Sequence, residues 1–350
     1  MSIFGPVLNW FQDRFQRDAE HRLAHFIPDG DAPLKSGEHY FRLWLDEMFL
    51  TDERRWFAEW HPAVHSAVTF KFGDQEQIIT RIAGASTLKD VDDSHLNRVI
   101  TQTLNLTELM PFNGGTVRVN AALLAMKGKD DVKMLIDVLG EFSKKLAVPQ
   151  LSLALDVARP LAQGVSALVG STDGEMMAGV DKTLANDTVK AGWFAIVYAT
   201  AAEVPPEKLS VKDNQLHFKG ARLTGRNYML LRVERVSARD DWDALSAIKD
   251  PYQRAVDMLS EDHLEAAQGQ LKKAIGAALK SQDLTEIDRR VVIDALKKRY
   301  QNAKDMLGSG AFSEGVDSSL ASLVGAEALT PVQAAALGRI GEEEAFEGLD

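Results

Sequence analysis

Pro111-Phe-Asn-Gly-Gly115 and the run after it, Thr116-Val-Arg-Val-Asn-Ala-Ala-Leu-Leu-Ala-Met126, decide the fold. Asn-Gly-Gly tolerates positive φ where a larger residue would clash, so the chain turns there. Beyond the turn, Val117, Val119, Ala121 and Leu123 take alternate positions, with Arg118 and Asn120 between them. That period of two predicts a strand with one face in a core. The two glycines precede a strand and do not open a helix, so they form no phosphate cradle.

The same period runs outward in both directions. Upstream, Val64, Val68, Phe70 and Phe72 predict one strand and residues 77–82 a second. Downstream, strands are predicted at 176–180, 192–200, 208–212, 216–219 and 228–236. Short turns join the later strands, which makes antiparallel pairing the natural reading. Between the two groups lie two helical patterns. One carries Val132, Leu135, Ile136, Leu139, Phe142 and Leu146; the other carries Leu151, Leu155, Ala158, Leu161, Val165 and Leu168. The second helix, over 150–168, is almost free of charge on every side, which favours burial against the sheets over a partner interface or membrane insertion.

Both ends read as helical. Phe4, Val7, Leu8, Phe11 and Phe15 recur at helical spacing, Ile27-Pro-Asp-Gly30 breaks the chain, and Tyr40, Phe41, Trp44, Leu45 and Met48 suggest a second helix. Fourteen of the 26 aromatic residues fall within residues 1–72. At the other end, Trp242, Leu245 and Ile248 form a short piece stopped by Pro251. Two long amphipathic helices follow, through Leu264, Leu271, Ile275 and Leu279 and through Val292, Leu296, Tyr300 and Leu307. Thr285 with Asp288 resembles a capping box at the start of the second. The expected fold is α+β: a central antiparallel β-sandwich with a two-helix insertion, a helical N-terminus and a C-terminal helical hairpin. The expected regions are an aromatic-rich helical part at 1–61, the sandwich at 62–238 with its insertion at 129–169, the hairpin at 239–307, and an acidic flexible tail at 308–350.

Composition narrows the chemistry. With 45% hydrophobic and 26% charged residues, the chain reads as globular, and no uncharged apolar run reaches the roughly 20 residues of a membrane helix. The absence of cysteine removes disulfides, Cys-ligated zinc, iron–sulfur clusters and thiol nucleophiles. Of the net charge of −11, residues 308–350 carry −7, from eight acids and Arg339 alone. No basic cluster offers to replace phosphate counterions, so nucleic-acid binding is not expected. The N-terminus lacks a secretory signal pattern, and a cytoplasmic location is expected.

No nucleophile elbow, Walker loop, Rossmann fingerprint or His-Glu-x-x-His pair occurs. His61 and His65 are spaced by four, but Pro62 and the β pattern argue against a helical metal pair. Asp90, Asp92 and Asp93 on a polar loop are the candidate calcium ligands, against the simpler reading of a solvated loop. Phe4, Trp10, Phe11 and Phe15 are the candidate membrane or docking face. In the tail, Thr330-Pro331 starts a short helical pattern, and Leu329, Val332, Ala336, Ile340 and Phe346 are the candidate partner-binding residues.

The stretch Leu109-Met-Pro-Phe-Asn-Gly-Gly-Thr-Val-Arg-Val-Asn-Ala-Ala-Leu-Leu-Ala-Met-Lys-Gly128, with Val138-Leu-Gly-Glu-Phe142 and Asp240-Asp-Trp-Asp243, resembles an uncharacterised bacterial family over roughly residues 60–300. That family is associated with multi-protein conflict gene clusters, such as defence systems. The resemblance implies a bacterial source and an interaction role, and it attaches no activity, cofactor or catalytic residues to the chain. The leading expectation is a non-catalytic adaptor or scaffold subunit, recruiting protein partners or processed by them, with cleavage after Gly308 as one form. The alternatives are a calcium- or lipid-responsive sandwich engaging membranes through the N-terminal aromatics, and a hydrolase with a cryptic carboxylate/histidine site. No cofactor is expected beyond that calcium alternative.

Overall fold

A computed structural model describes residues 22–51, 54–55, 58–73, 75–84, 100–127, 175–185, 189–308 and 329–349. The chain divides into two compact units. The first comprises residues up to Leu34, Phe41–Met110 and Gly114–Arg235; the second comprises Lys35–Tyr40, Pro111–Asn113 and Val236–Asp350.

The first unit is built on antiparallel sheets. Its strands are β1 (Arg22–Pro33), β2 (Tyr40–Phe49), β3 (Arg54–Arg55), β4 (Ala58–Phe72), β5 (Gln75–Gly84), β6 (Ile100–Asn105), β7 (Met110–Pro111), β8 (Val117–Lys127), β9 (Glu175–Leu184), β10 (Lys190–Tyr198), β11 (Leu209–Lys212), β12 (Gln215–Phe218), β13 (Ala221–Arg222) and β14 (Tyr228–Val236). One sheet runs β1-β10-β14-β2-β6 with β7 beside β2; a second runs β3-β4-β8-β9 with β5 beside β4; β11-β12-β13 form a third. Val68 lies opposite Val119, and Asn120 opposite Asp181, so the alternation of 116–126 sets the register of the second sheet. Phe41 of β2 meets Phe70 of β4 edge-on at 6.0 Å, both rings buried, which joins the two large sheets as a sandwich. The small sheet lays Leu209, Leu216 and Leu223 over Ala195, Val197, Tyr228 and Leu230.

Local chemistry explains the turns. Gly114 and Gly115 hold φ of 75° and 79°, as the Asn-Gly-Gly reading requires. Asp213 and Asn214 both have positive φ and close the two-residue hairpin between β11 and β12, the geometry of a type I′ turn. At Gly192 a Cβ would run into the Ile27 carbonyl and Pro28, because β1 and β10 approach closely there.

The helical expectation for 22–61 is corrected. Residues 22–33 and 40–49 are strands, and β4 begins at Ala58. Tyr40, Phe41, Trp44, Leu45 and Met48 do recur at helical spacing, but Leu43 between them and Phe49 and Leu50 after them are also buried. A strand covered on both faces has no clean period of two, and the sequence pattern then fits either element. The expected N-terminal helix through Phe4 and Phe15, and the insertion at 129–169, lie outside the described residues.

The second unit is helical: α1 (Ser246–Ser260), α2 (Leu264–Lys280), α3 (Glu286–Gly308), α4 (Pro331–Leu337) and α5 (Glu342–Phe346). The expected stop at Pro251 does not occur, and α1 continues through it. Pro251 sits in the second turn, and the carbonyl it cannot bond belongs to Ala247, an exposed residue. Leu245, Ile248, Ala255, Leu271, Ile275, Val292 and Leu296 form the core among the three long helices.

Candidate functional site

The C-terminal segment 329–349, expected to be part of a flexible acidic tail, folds back on α2 and α3 as a strap. Its first helix starts as the sequence signals. The Thr330 hydroxyl accepts the Gln333 N–H at 3.2 Å, the Gln333 side chain accepts the Thr330 N–H at 2.9 Å, and Pro331 takes the first helical position. Gly338, at φ 76°, ends it. Glu342, Glu343 and Glu344 then occupy the first turn of α5, where the helix dipole favours negative charge.

One side of α3 is laid out to receive this segment. Asp294 accepts the Leu329 N–H at 2.9 Å. Arg290, one turn earlier and 5% exposed, donates Nε to the Gly338 carbonyl at 2.8 Å and Nη2 to the Arg339 carbonyl at 3.1 Å. Its guanidinium also grips both carboxylate oxygens of Glu344, with Nη2 to Oε2 at 2.9 Å. Lys297, two turns on, donates to the carbonyls of Glu344 (3.2 Å) and Glu347 (3.0 Å), at the negative end of α5. From α2, Gln268 donates to the Leu349 carbonyl. Ile340, Ala345 and Leu349 enter the helical core, and Phe346 packs against it beside Gly276. Beside the strap, a groove of about 430 Å³ is lined by Leu279, Arg289, Arg339 and Glu342, and another of about 590 Å³ by Lys297, Tyr300, Lys304 and Leu349.

The hydrogen bonds from Arg290 hold the Glu344 carboxyl below its usual range, against the opposing effect of burial. A lowered folded-state pKa means that this anchor is complete above the ordinary value near 4.5 and is lost as pH falls below it. Intrinsic-rate-corrected hydrogen-exchange protection of the Ala345 and Leu349 amides is therefore expected to drop below pH 4.5. Glu344→Gln should show reduced protection at neutral pH and no acid step; an identical acid step in that variant would sink the assignment.

The start of α3 is held by a second network. Asp288 N–H donates to the Thr285 hydroxyl at 3.2 Å, one half of the capping box read from the sequence. The other half is interrupted by a tyrosine: the Thr285 N–H donates to the Tyr40 hydroxyl at 2.9 Å, and that hydroxyl bonds the Asp288 carboxylate. Asp288 also accepts the Arg239 N–H at 2.7 Å. Burial raises the Asp288 pKa, with these hydrogen bonds opposing it, and burial beside Asp288 raises that of Tyr40.

The first unit carries its own buried charges, which the sequence reading did not single out. Asp46 accepts Trp193 Nε1 at 3.0 Å and Arg232 Nε at 2.9 Å. Glu47 accepts the Leu216 N–H at 2.8 Å, Arg222 Nη2 at 2.6 Å and the Tyr228 hydroxyl at 3.2 Å. Trp193 pairs with Arg232, and Tyr228 lies four residues from Arg232 on β14, so these partners share one sheet face. Consecutive carboxylates therefore serve a single face, which fits the register irregularity between Leu45 and Glu47. The face continues through Trp44, which donates to Glu234 at 2.7 Å and has the Arg42 and Arg232 guanidinia 5.1 and 5.4 Å from its ring centre. The available signal was a pair of adjacent acids, with Arg42, inside the largely apolar run 40–50. These carboxylates are tied to arginines and read as structural.

The other expected positions fall as follows. Phe4, Trp10, Phe11 and Phe15, and the calcium candidates Asp90, Asp92 and Asp93, lie outside the described residues. His61 and His65 both lie on β4, where a four-residue separation spans about 13 Å, so the helical spacing that would bring two imidazoles together is absent. Among the described residues no group of three or more His, Asp or Glu is placed to hold a metal, and no helix is long and apolar enough to cross a membrane. Of the five partner-binding candidates, Ile340 is buried in the unit's own core and Phe346 packs against it. Leu329 is half-buried, while Val332 and Ala336 face outward. No family model, no curated protein and no solved structure matches the chain, so the resemblance over residues 60–300 assigns no residue a role.

Proposed function

We propose that this protein is a non-catalytic adaptor or scaffold subunit of a bacterial multi-protein system, and that its C-terminal helical unit makes the partner contact. The observation that carries the reading is the division of labour along the strap. Ile340, Ala345 and Leu349 anchor it inward, while Val332 and Leu337 of α4 are 80% and 59% exposed. Ala334 is the buried residue of that helix. A folded, capped helix that keeps two large aliphatic side chains in water favours a protein-binding role. The acidic first turn of α5, next along the chain, supplies charge that steers a basic partner surface.

The test is affinity purification from the native cell with the full chain and with the double variant Val332→Asp/Leu337→Asp. Both substitutions are exposed, so the strap stays docked and its amide protection stays unchanged. A partner held by the wild type and lost by the variant supports the reading. A partner retained equally by both moves the contact off the strap, and no specific partner with either chain removes the adaptor reading.

A further inference from the structure

The strap does more than cover α3; it completes a residue that otherwise has no counterpart. Arg290 is 5% exposed, and its acceptors are two strap carbonyls and the strap carboxylate of Glu344. A guanidinium taken out of water needs an anion and further acceptors in place. The strap itself takes Arg290 out of water, and supplies the anion and both carbonyls in the same step. The position is therefore suited to an occupant of definite chemistry.

That chemistry can be read from α3. Positions 290, 294 and 297 follow one side of the helix at spacings of four and three. In order they offer a fork for a carboxylate, an acceptor for a backbone N–H, and an ammonium for carbonyls at a helix C-terminus. Beside them the core receives an aliphatic residue four places before the carboxylate, a small one directly after it and another aliphatic four beyond that, which here are Ile340, Ala345 and Leu349 around Glu344. The strap helices span seven and five residues, too short to persist alone, so an occupant orders as it docks and is selected by these contacts.

We infer that the α2–α3 face bearing Arg290, Asp294 and Lys297 is a receptor for an acidic, aliphatic-anchored segment of a protein partner, with residues 329–349 as its resident occupant. The inference rests on the reading of this unit as an interaction platform. Charge complementarity supports this class of occupant: Arg290 and Lys297 face a segment whose residues 342–347 include four glutamates. Exchange between strap and partner couples two events. Seating the partner's segment releases the strap, and with it the anchorage of the displayed Val332 and Leu337.

The strap is covalently attached and competes at an effective concentration on the order of millimolar, so the wild-type chain resists exchange and a weakened strap permits it. The experiment uses full-length chains and a fluorescein-labelled synthetic peptide with the sequence of residues 329–350. The expected result is binding at least tenfold tighter to full-length Glu344→Gln than to the wild type. Adding Arg290→Met to that chain should weaken binding by a further tenfold or more, with helical circular dichroism unchanged. Hydrogen exchange supplies a second reading: excess peptide should accelerate exchange of the 340–349 amides in the Glu344→Gln chain. Equal affinity for both chains, or binding indifferent to Arg290→Met, overturns the receptor. Dimers formed by mixed full-length chains at the peptide's concentration would replace the partner with a second copy of this chain, overturning that assignment. If the Val332/Leu337 test succeeds and this one fails, only the receptor falls; the reverse outcome leaves the receptor and removes the displayed-helix contact.

Discussion

Glu47→Ala is expected to destabilise the first unit by about 3–5 kcal/mol, the cost of removing one member of a buried charged pair. Glu47 has no side-chain exposure, while Arg222 is 36% exposed. After the substitution the guanidinium can turn toward water, so it is not the main source of the loss. The Leu216 N–H and the Tyr228 hydroxyl have no such escape, since both residues are fully buried. Two stranded donors at about 1–3 kcal/mol each, together with the space left by the side chain, account for the magnitude. The Tyr228 hydroxyl is already pushed above its ordinary pKa by burial and by Glu47, so it stays a neutral donor at all working pH values. Glu47→Gln should cost less, because it keeps the shape but turns part of an acceptor toward donors. Thermal unfolding of the first unit is the measurement, with a midpoint lowered by roughly 10 °C for Glu47→Ala. Glu234→Ala, at a partly exposed carboxylate, is the comparison and should cost less than about 1 kcal/mol. Equal losses in the two variants would show that the Glu47 network contributes nothing special.

A second large effect depends on pH. His65 is 2% exposed in β4, between Ala122 and Ile82 of the neighbouring strands. Burial pushes its pKa down from 6.5 to about 3. Above pH 6.5 the ring is neutral in both folded and unfolded chains and makes no difference to stability. Below 6.5 the unfolded chain takes up a proton that the folded chain refuses, and stability falls by about 1.4 kcal/mol per pH unit until the folded value is reached. By pH 4.5 the loss is about 3 kcal/mol. Denaturant midpoints are compared between pH 6.5 and 5, where unperturbed carboxylates stay ionised, and the difference between the wild type and a His65 variant isolates this contribution. His65→Gln should flatten that limb by one proton, and the wild-type His65 ring should show no titration in NMR across it. Parallel pH profiles for the two chains would refute the assignment.

Much of this architecture is written in the order of residues. The run 116–126, the Asn-Gly-Gly turn, the strands near 176–236 and the helices α2 and α3 follow from periodicity and turn chemistry that act within a dozen residues. Thr330-Pro331 likewise announces α4 from its own hydroxyl and ring. Where these signals fail, the cause is burial on every side. In 40–49 both faces of β2 are covered, and the apolar pattern no longer separates helix from strand. Pro251 misleads for a different reason: a proline inside a helix costs about 3 kcal/mol, and here the packing of Ile248, Tyr252, Ala255 and Leu259 on the helical core outweighs that cost.

The candidate site divides along the same line. That the tail is acidic and contains an amphipathic stretch is legible at once. Which of its apolar residues turn inward depends on α2 and α3, and that separated Ile340 and Phe346 from Val332. Arg290 looks like any helical surface arginine until Glu344, 54 residues away, closes on it. Glu47 acquires its meaning from Tyr228 at a separation of 181, and Thr285 its N–H acceptor from Tyr40 at 245. The sequence by itself determined the elements whose signals are local, such as β8, α2, α3 and α4, since periodicity, caps and turns act over a few residues. Tertiary structure alone decided which charges are buried and what satisfies them, because a buried polar group draws its partners from wherever folding delivers them.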